Sequence, residues 1–134
     1  MHYRIKKILS FRVPALLCTI LIFILMVIPG TMLPKEEHFF IPDFDKFIHA
    51  FLFGSFVFLW CVYSASRWKN QRLLYLRFFL ICLIGCVYGI AMEYVQKYFI
   101  PNRDYDLYDI FADAVGAFAG FLFVSFTLSW FRSN

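Results

Sequence analysis

The sequence predicts an all-α, polytopic membrane protein: a four-transmembrane-helix bundle with both termini cytoplasmic. Three observations predict it. Of the 134 residues, 62% are hydrophobic, 22% aromatic and only 16% charged, against roughly a quarter charged in an ordinary soluble domain. The apolar residues fall in four long runs, and the charges fall between those runs on alternating sides. A water-soluble domain of this size could not bury so much apolar surface. A mean hydropathy of +0.70 and 19 Phe exclude a disordered tail, a disulfide-rich module or a nucleic-acid-binding scaffold. The partner implied is the lipid bilayer, and the whole of residues 1–134 is read as one transmembrane domain.

A spanning helix needs about 20 apolar residues. The first run is uncharged from Val13 to Leu33, giving a helix over about 13–33; it is too long for a signal-peptide core, and no small-x-small cleavage site follows it. The second, Phe47 to Ser66, contains only His49 as an ionisable group, and predicts a helix over about 46–66. The third is uncharged from Phe78 to Met92 and reaches full length, about 78–98, only by taking in Glu93, Gln96 and Lys97. The fourth, Ala114 to Trp130, needs Asp109 to Asp113 to complete a helix over about 108–130.

Nine of the thirteen basic residues lie on one set of segments: Arg4, Lys6, Lys7, Arg12, Arg67, Lys69, Arg72, Arg77 and Arg132. Positive residues accumulate on the cytoplasmic side, so that set is predicted to be inside, in a multi-pass protein of the cytoplasmic membrane. All nine acids fall on the other side: Glu36, Glu37, Asp43, Asp45, Glu93, Asp104, Asp106, Asp109 and Asp113. The four cysteines, Cys18, Cys61, Cys82 and Cys86, lack Cys-x-x-Cys spacing and read as packing residues, since thiols are among the most frequently buried groups.

Some of the acids need no special role. Asp43 is placed to cap the second helix, Asp104 or Asp106 to cap the fourth, and Asp45 suits the positive end of a helix dipole. His49, Glu93 and Asp113 are different. Glu93 stands near a helix C-terminus, where the dipole disfavours a carboxylate, and it continues a small-residue stripe from Gly85 and Gly89. Asp109, Ala112, Asp113, Gly116 and Gly120 form a comparable face on the fourth helix. Small residues of this kind mark close helix approach, so the simplest expectation pairs the third and fourth helices with both carboxylates turned inward. Asp45 and His49, one turn apart, are expected to project into the same interior. At 1.5 Å rise per residue, His49, Glu93 and Asp113 fall in one layer, roughly 7–11 Å from the outer helix ends.

The stretches DKFIHAF, GIAMEYVQ and NRDYDLYDIFADAVGAFAG together resemble the VanZ-like membrane proteins. The family pattern has Asp-Lys-x-x-His at the start of one helix, Glu-x-x-Gln near the end of the next, and Arg with spaced Asp residues before a Gly-x-x-x-Gly helix. It falls here on Asp45, Lys46, His49, Glu93, Gln96, Arg103, Asp109, Gly116 and Gly120. Asp113 departs from it, because the family commonly has Asn there. The resemblance covers about residues 14–130 and implies the four-helix fold and the site; the family's namesake is associated with low-level teicoplanin resistance.

Two uses of the polar layer involve a ligand. In an enzyme acting on an anionic lipid-linked or envelope substrate, His49 is the general acid or base. Glu93 and Asp45 support it, while Lys46 and Arg103 hold the anionic headgroup with Gln96, Asp109 and Asp113 around them. In a non-catalytic binder the same residues sequester the ligand, and in a scaffold they only fix helix register. No nucleotide-binding loop, nucleophile elbow or zinc-helix motif is present, so the sequence names no cofactor. A divalent cation on Asp109 and Asp113 would need a third partner. Neither the substrate nor the oligomeric state is written in the sequence.

Overall fold

The computed structural model describes residues 12–32 and 43–132, with side chains as far as Thr127. The expected positions of Arg4, Lys6, Lys7, Leu33, Lys35, Glu36 and Glu37, and the side chain of Arg132, lie outside the described residues. The described chain is helical: α1 (Arg12–Met26), a short 3₁₀ turn (Gly30–Met32), α2 (Phe44–Arg67), α3 (Gln71–Phe99) and α4 (Leu107–Arg132). Three helices, α2, α3 and α4, are long and apolar enough to cross a membrane. Large apolar side chains such as Leu17, Phe51, Val87, Phe111 and Phe126 face outward, as a lipid-facing surface requires.

The first helix corrects the expected span of 13–33. Its described stretch, Arg12–Met26, ends at Met26 and not at Leu33. Pro29 supplies no N–H to continue the helix and disfavours the helical conformation at Ile28. The amide of Gly30 instead donates to Pro101 O at 3.2 Å, and a Cβ on Gly30 would run into the carbonyl oxygen of Asn102. The Met26 carbonyl, left without its helical donor, accepts from Gln96 Nε2 at 3.0 Å. The end of α1 is thereby locked to the end of α3 and to the connection that follows it.

The third helix begins at Gln71 rather than near 78. Asn70 caps it, its side chain accepting from Leu73 N at 3.2 Å, and the first two turns carry Arg72 and Arg77. The Arg77 guanidinium lies 3.5 Å over the Trp68 ring, a cation–π contact that leaves the helix free to extend through the basic stretch. Asp106 caps α4, its Oδ1 accepting from Tyr108 N at 2.8 Å. Asp43 does not cap α2 as expected: it is left-handed, with φ 54°, and makes no side-chain capping bond.

The closest helix pair is α2 with α4, where the sequence suggested α3 with α4. A Cβ on Gly116 would overlap the Ala50 carbonyl, and one on Gly120 would overlap that of Gly54. Ala50 and Gly54 on α2 thus face Gly116 and Gly120 on α4, four residues apart on each side, and the backbones touch as in other small-xxx-small pairs. On α3, Gly85 packs on Val57 and Ala117, while the space beside Gly89 holds the Asp113 carboxylate. The core between the helices comprises Ile22, Phe53, Val57, Cys61, Leu74, Phe78, Ala117 and Val124. All four cysteines are free, with Cys61 and Cys82 buried.

Candidate functional site

The start of α2, the end of α3 and the start of α4 share one end of the bundle, so the residues singled out on three helices gather there. His49 is the centre of the cluster and is 5% exposed. Its Nδ1 is 3.0 Å from Asp113 Oδ1, and its Nε2 is 3.8 Å from Asp109 Oδ2. The α2–α4 seam brings this about: Ala50 is the next residue along α2, and backbone contact there carries Asp113, one turn before Ala117, against the imidazole. A neutral imidazole can donate from only one nitrogen. With Nδ1–H directed to Asp113, Nε2 carries the lone pair.

Glu93, 1% exposed, enters from α3. Its Oε2 accepts from the backbone N–H of Asp106 at 3.1 Å, which explains how a carboxylate is held at a helix C-terminus: the donor is a backbone amide at the start of α4. Its Oε1 is buried with no hydrogen-bond partner. Asp113, 2% exposed, has the same character, with Oδ2 buried and unpartnered where Gly89 leaves room for it. A Cβ on Gly89 would lie 2.6 Å from that oxygen. Asp109 Oδ1 also lacks a hydrogen-bond partner.

Lys46 forms a second tier at the rim. Its Nζ lies 3.2 Å from Asp45 Oδ2, 3.2 Å from Asp106 Oδ2, 3.6 Å from Asp109 Oδ1 and 3.7 Å from Asp43 Oδ1. The ammonium is therefore surrounded by carboxylates. Arg103, on the connection between α3 and α4, is half-buried and makes no ion pair with the described acids; its Nε is buried without a hydrogen-bond partner. Gln96 stands apart from His49, its amide engaged with Met26 through the backbone oxygen and, at 3.3 Å, through Sδ.

The structure thus brings together His49, Glu93, Asp109 and Asp113, sets Lys46 and Asp45 at the rim, and directs Gln96 to the end of α1. Sequence reasoning missed Asp106, which supplies both a carboxylate to Lys46 and an amide to Glu93; its capping position was visible, but not what else it would meet. It also missed the Ala50–Gly54 pair, whose four-residue spacing was the available signal.

A protein-family model described as VanZ/LLP1 matches residues 11–129. The chain belongs to this family. No curated protein and no solved structure gives a match to it. The match to VanZ/LLP1 extends from the first described turn of α1 to residue 129 in α4, so every residue of the polar cluster lies within the family domain.

Proposed function

We propose that this VanZ-family protein binds, and acts on, an anionic lipid headgroup or cell-envelope component at the outer face of the cytoplasmic membrane. The observation that carries the reading is the pair of buried, unpartnered carboxylate oxygens on Glu93 and Asp113 beside an oriented histidine and the Asp109 carboxylate. Buried polar groups in folded proteins are nearly always satisfied, and ionisable groups at membrane depth mark functional sites. The outer placement rests on the basic residues: Arg67, Lys69, Arg72 and Arg77 flank the opposite end of α2 and α3.

Within the layer, Asp113 fixes the His49 ring so that Nε2 faces the ligand region, and Glu93 lines it from α3. Lys46 is neutralised by its own carboxylates, which leaves Arg103, with its unpartnered Nε, as the side chain suited to contact an anionic headgroup. One set of contacts favours a structural reading for part of the layer: the bonds from Gln96 to Met26 and from Asp106 to Glu93 tie helix ends together, and we assign Gln96 to that role alone.

Comparative mass spectrometry of membrane lipids and envelope polymers, from cells with and without the protein, tests the reading. We expect a discrete class of anionic lipid or polymer to change, and teicoplanin tolerance to follow it. His49→Ala should abolish the change at normal membrane levels; a catalyst loses turnover, a binder loses affinity. Unchanged profiles on deletion, with full phenotype in His49→Ala and Glu93→Gln, would leave only the scaffold.

A further inference from the structure

We infer that His49, Glu93 and Asp109 form a divalent-cation site whose ligands come one each from α2, α3 and α4. One ligand atom from each of the three lies within 4.8 Å of the other two. Each residue also has its other polar atom engaged. His49 Nδ1 is held by Asp113, Glu93 Oε2 by the Asp106 amide, and Asp109 Oδ1 faces Lys46. The atoms left over are His49 Nε2, Glu93 Oε1 and Asp109 Oδ2.

Two independent features point to a ion among them. Glu93 Oε1 is a buried oxygen with no partner on a side chain 1% exposed, an arrangement that is costly unless a cation or donor meets it. The 3.8 Å between His49 Nε2 and Asp109 Oδ2 is too long for a hydrogen bond, yet it is a spacing that one ion bridges when each ligand sits at about 2.0–2.2 Å from it. The Asp113–His49 pair completes the pattern, since metal-bound histidines characteristically give their second N–H to a carboxylate that fixes the tautomer.

Charge supports the same conclusion. Six carboxylates, Asp43, Asp45, Glu93, Asp106, Asp109 and Asp113, gather around Lys46 and His49, a poor surface for an anion on its own. A divalent ion reverses the local sign and offers an anionic headgroup a positive contact. One imidazole with two carboxylates is a mixed nitrogen and oxygen set that suits Zn²⁺ or Mn²⁺ better than Ca²⁺ or Mg²⁺, which favour oxygen ligands. Three protein ligands leave a coordination position open, as catalytic sites do. His49 then gives its lone pair to the ion instead of carrying a proton.

The inference rests on reading this layer as a ligand site, and the two can fail separately. The full chain, purified in detergent and stripped with EDTA, is titrated with Zn²⁺ and with Mn²⁺, and bound metal is measured by equilibrium dialysis and elemental analysis. One ion per chain is expected. Glu93→Gln, which keeps an oxygen for the Asp106 amide, and His49→Ala should each weaken binding on the order of 100-fold or more, and Asp113→Asn by about 10–100-fold. Asp43→Asn at the rim should bind as the parent does. Substoichiometric metal in the parent, or unchanged affinity in a folded Glu93→Gln protein, overturns the site. Substoichiometric metal with capture of anionic-lipid vesicles that survives EDTA overturns the metal while sparing the headgroup reading; one tightly held ion with no vesicle capture supports the metal and overturns that reading.

Discussion

Two polar junctions each join three helices of this protein, one half-buried and one buried, and they are built on opposite principles. At the first, Thr19 Oγ1 donates to Ala15 O at 2.8 Å and accepts from Trp60 Nε1 at 3.1 Å, while the Tyr88 hydroxyl donates to Thr19 O at 3.1 Å. Three helices meet there through neutral groups, each of which has a partner. At the second, His49, Glu93, Asp109 and Asp113 also join three helices, but they are ionisable, and oxygens on all three acids are left without a hydrogen bond. Neutral interhelical bonds suffice to fix register, at about 0.6–2 kcal/mol each. A layer of incompletely satisfied carboxylates is an unfavourable way to do the same thing, which is why we read the first junction as structural and the second as a ligand site.

The largest effect should come from the α2–α4 seam, which positions the second junction. Gly116→Leu would drive a side chain into the Ala50 backbone and separate α2 from α4, at a cost of about 3 kcal/mol or more because backbone cannot yield as a side chain can. Size-exclusion chromatography should show loss of the folded protein. Gly85→Ala is the matched control: its Cβ would lie 3.0 Å from the Val57 Cγ2 methyl, which can shift, and the variant should remain folded.

His49→Ala comes next. It removes the hydrogen bond to Asp113 and leaves that carboxylate buried without a donor, a loss of about 1–3 kcal/mol together with the whole ligand-dependent response. Chemical or thermal unfolding, paired with lipid profiling, separates the two effects. Gln96→Leu should destabilise by only about 1 kcal/mol through the freed Met26 carbonyl, with the envelope phenotype retained. Trp60→Phe, which removes one bond at the Thr19 junction, should have the smallest effect, about 0.6 kcal/mol, and none on ligand binding. A phenotype lost in Trp60→Phe but kept in His49→Ala would reverse the assignment of the two junctions.

Much of this contrast was legible in the sequence, and the reasons it was not all legible are local and physical. Helix number and the outward apolar faces follow from hydropathy, which needs no knowledge of neighbours. The positions of His49, Glu93 and Asp113 on one layer follow from helical rise. The stop after Met26 was written in Pro29 and Gly30 but masked by the continuous apolar run around them. The partner of the Gly116–Gly120 face could not be read, because Gly85–Gly89 on α3 and Ala50–Gly54 on α2 have the same spacing, and only packing chooses between them. Likewise nothing in the sequence distinguishes Gln96, which holds a helix end, from Glu93, whose one oxygen holds an amide while the other is left free.

The central claim, that the charged layer is kept at the expense of stability for the sake of a ligand, is tested most directly by the thermal unfolding of Glu93→Gln against the parent, both stripped with EDTA. Glutamine keeps an oxygen for the Asp106 amide and replaces a buried negative charge with a neutral amide that is cheaper to desolvate, so a site held at a stability cost should become more stable when it is neutralised. We predict a rise in Tm of about 3–5 °C, equivalent to ~1 kcal/mol in a chain of this size. A fall in Tm as large as that of Gln96→Leu would contradict the account and make Glu93 a structural tie of the same kind as the Thr19 junction.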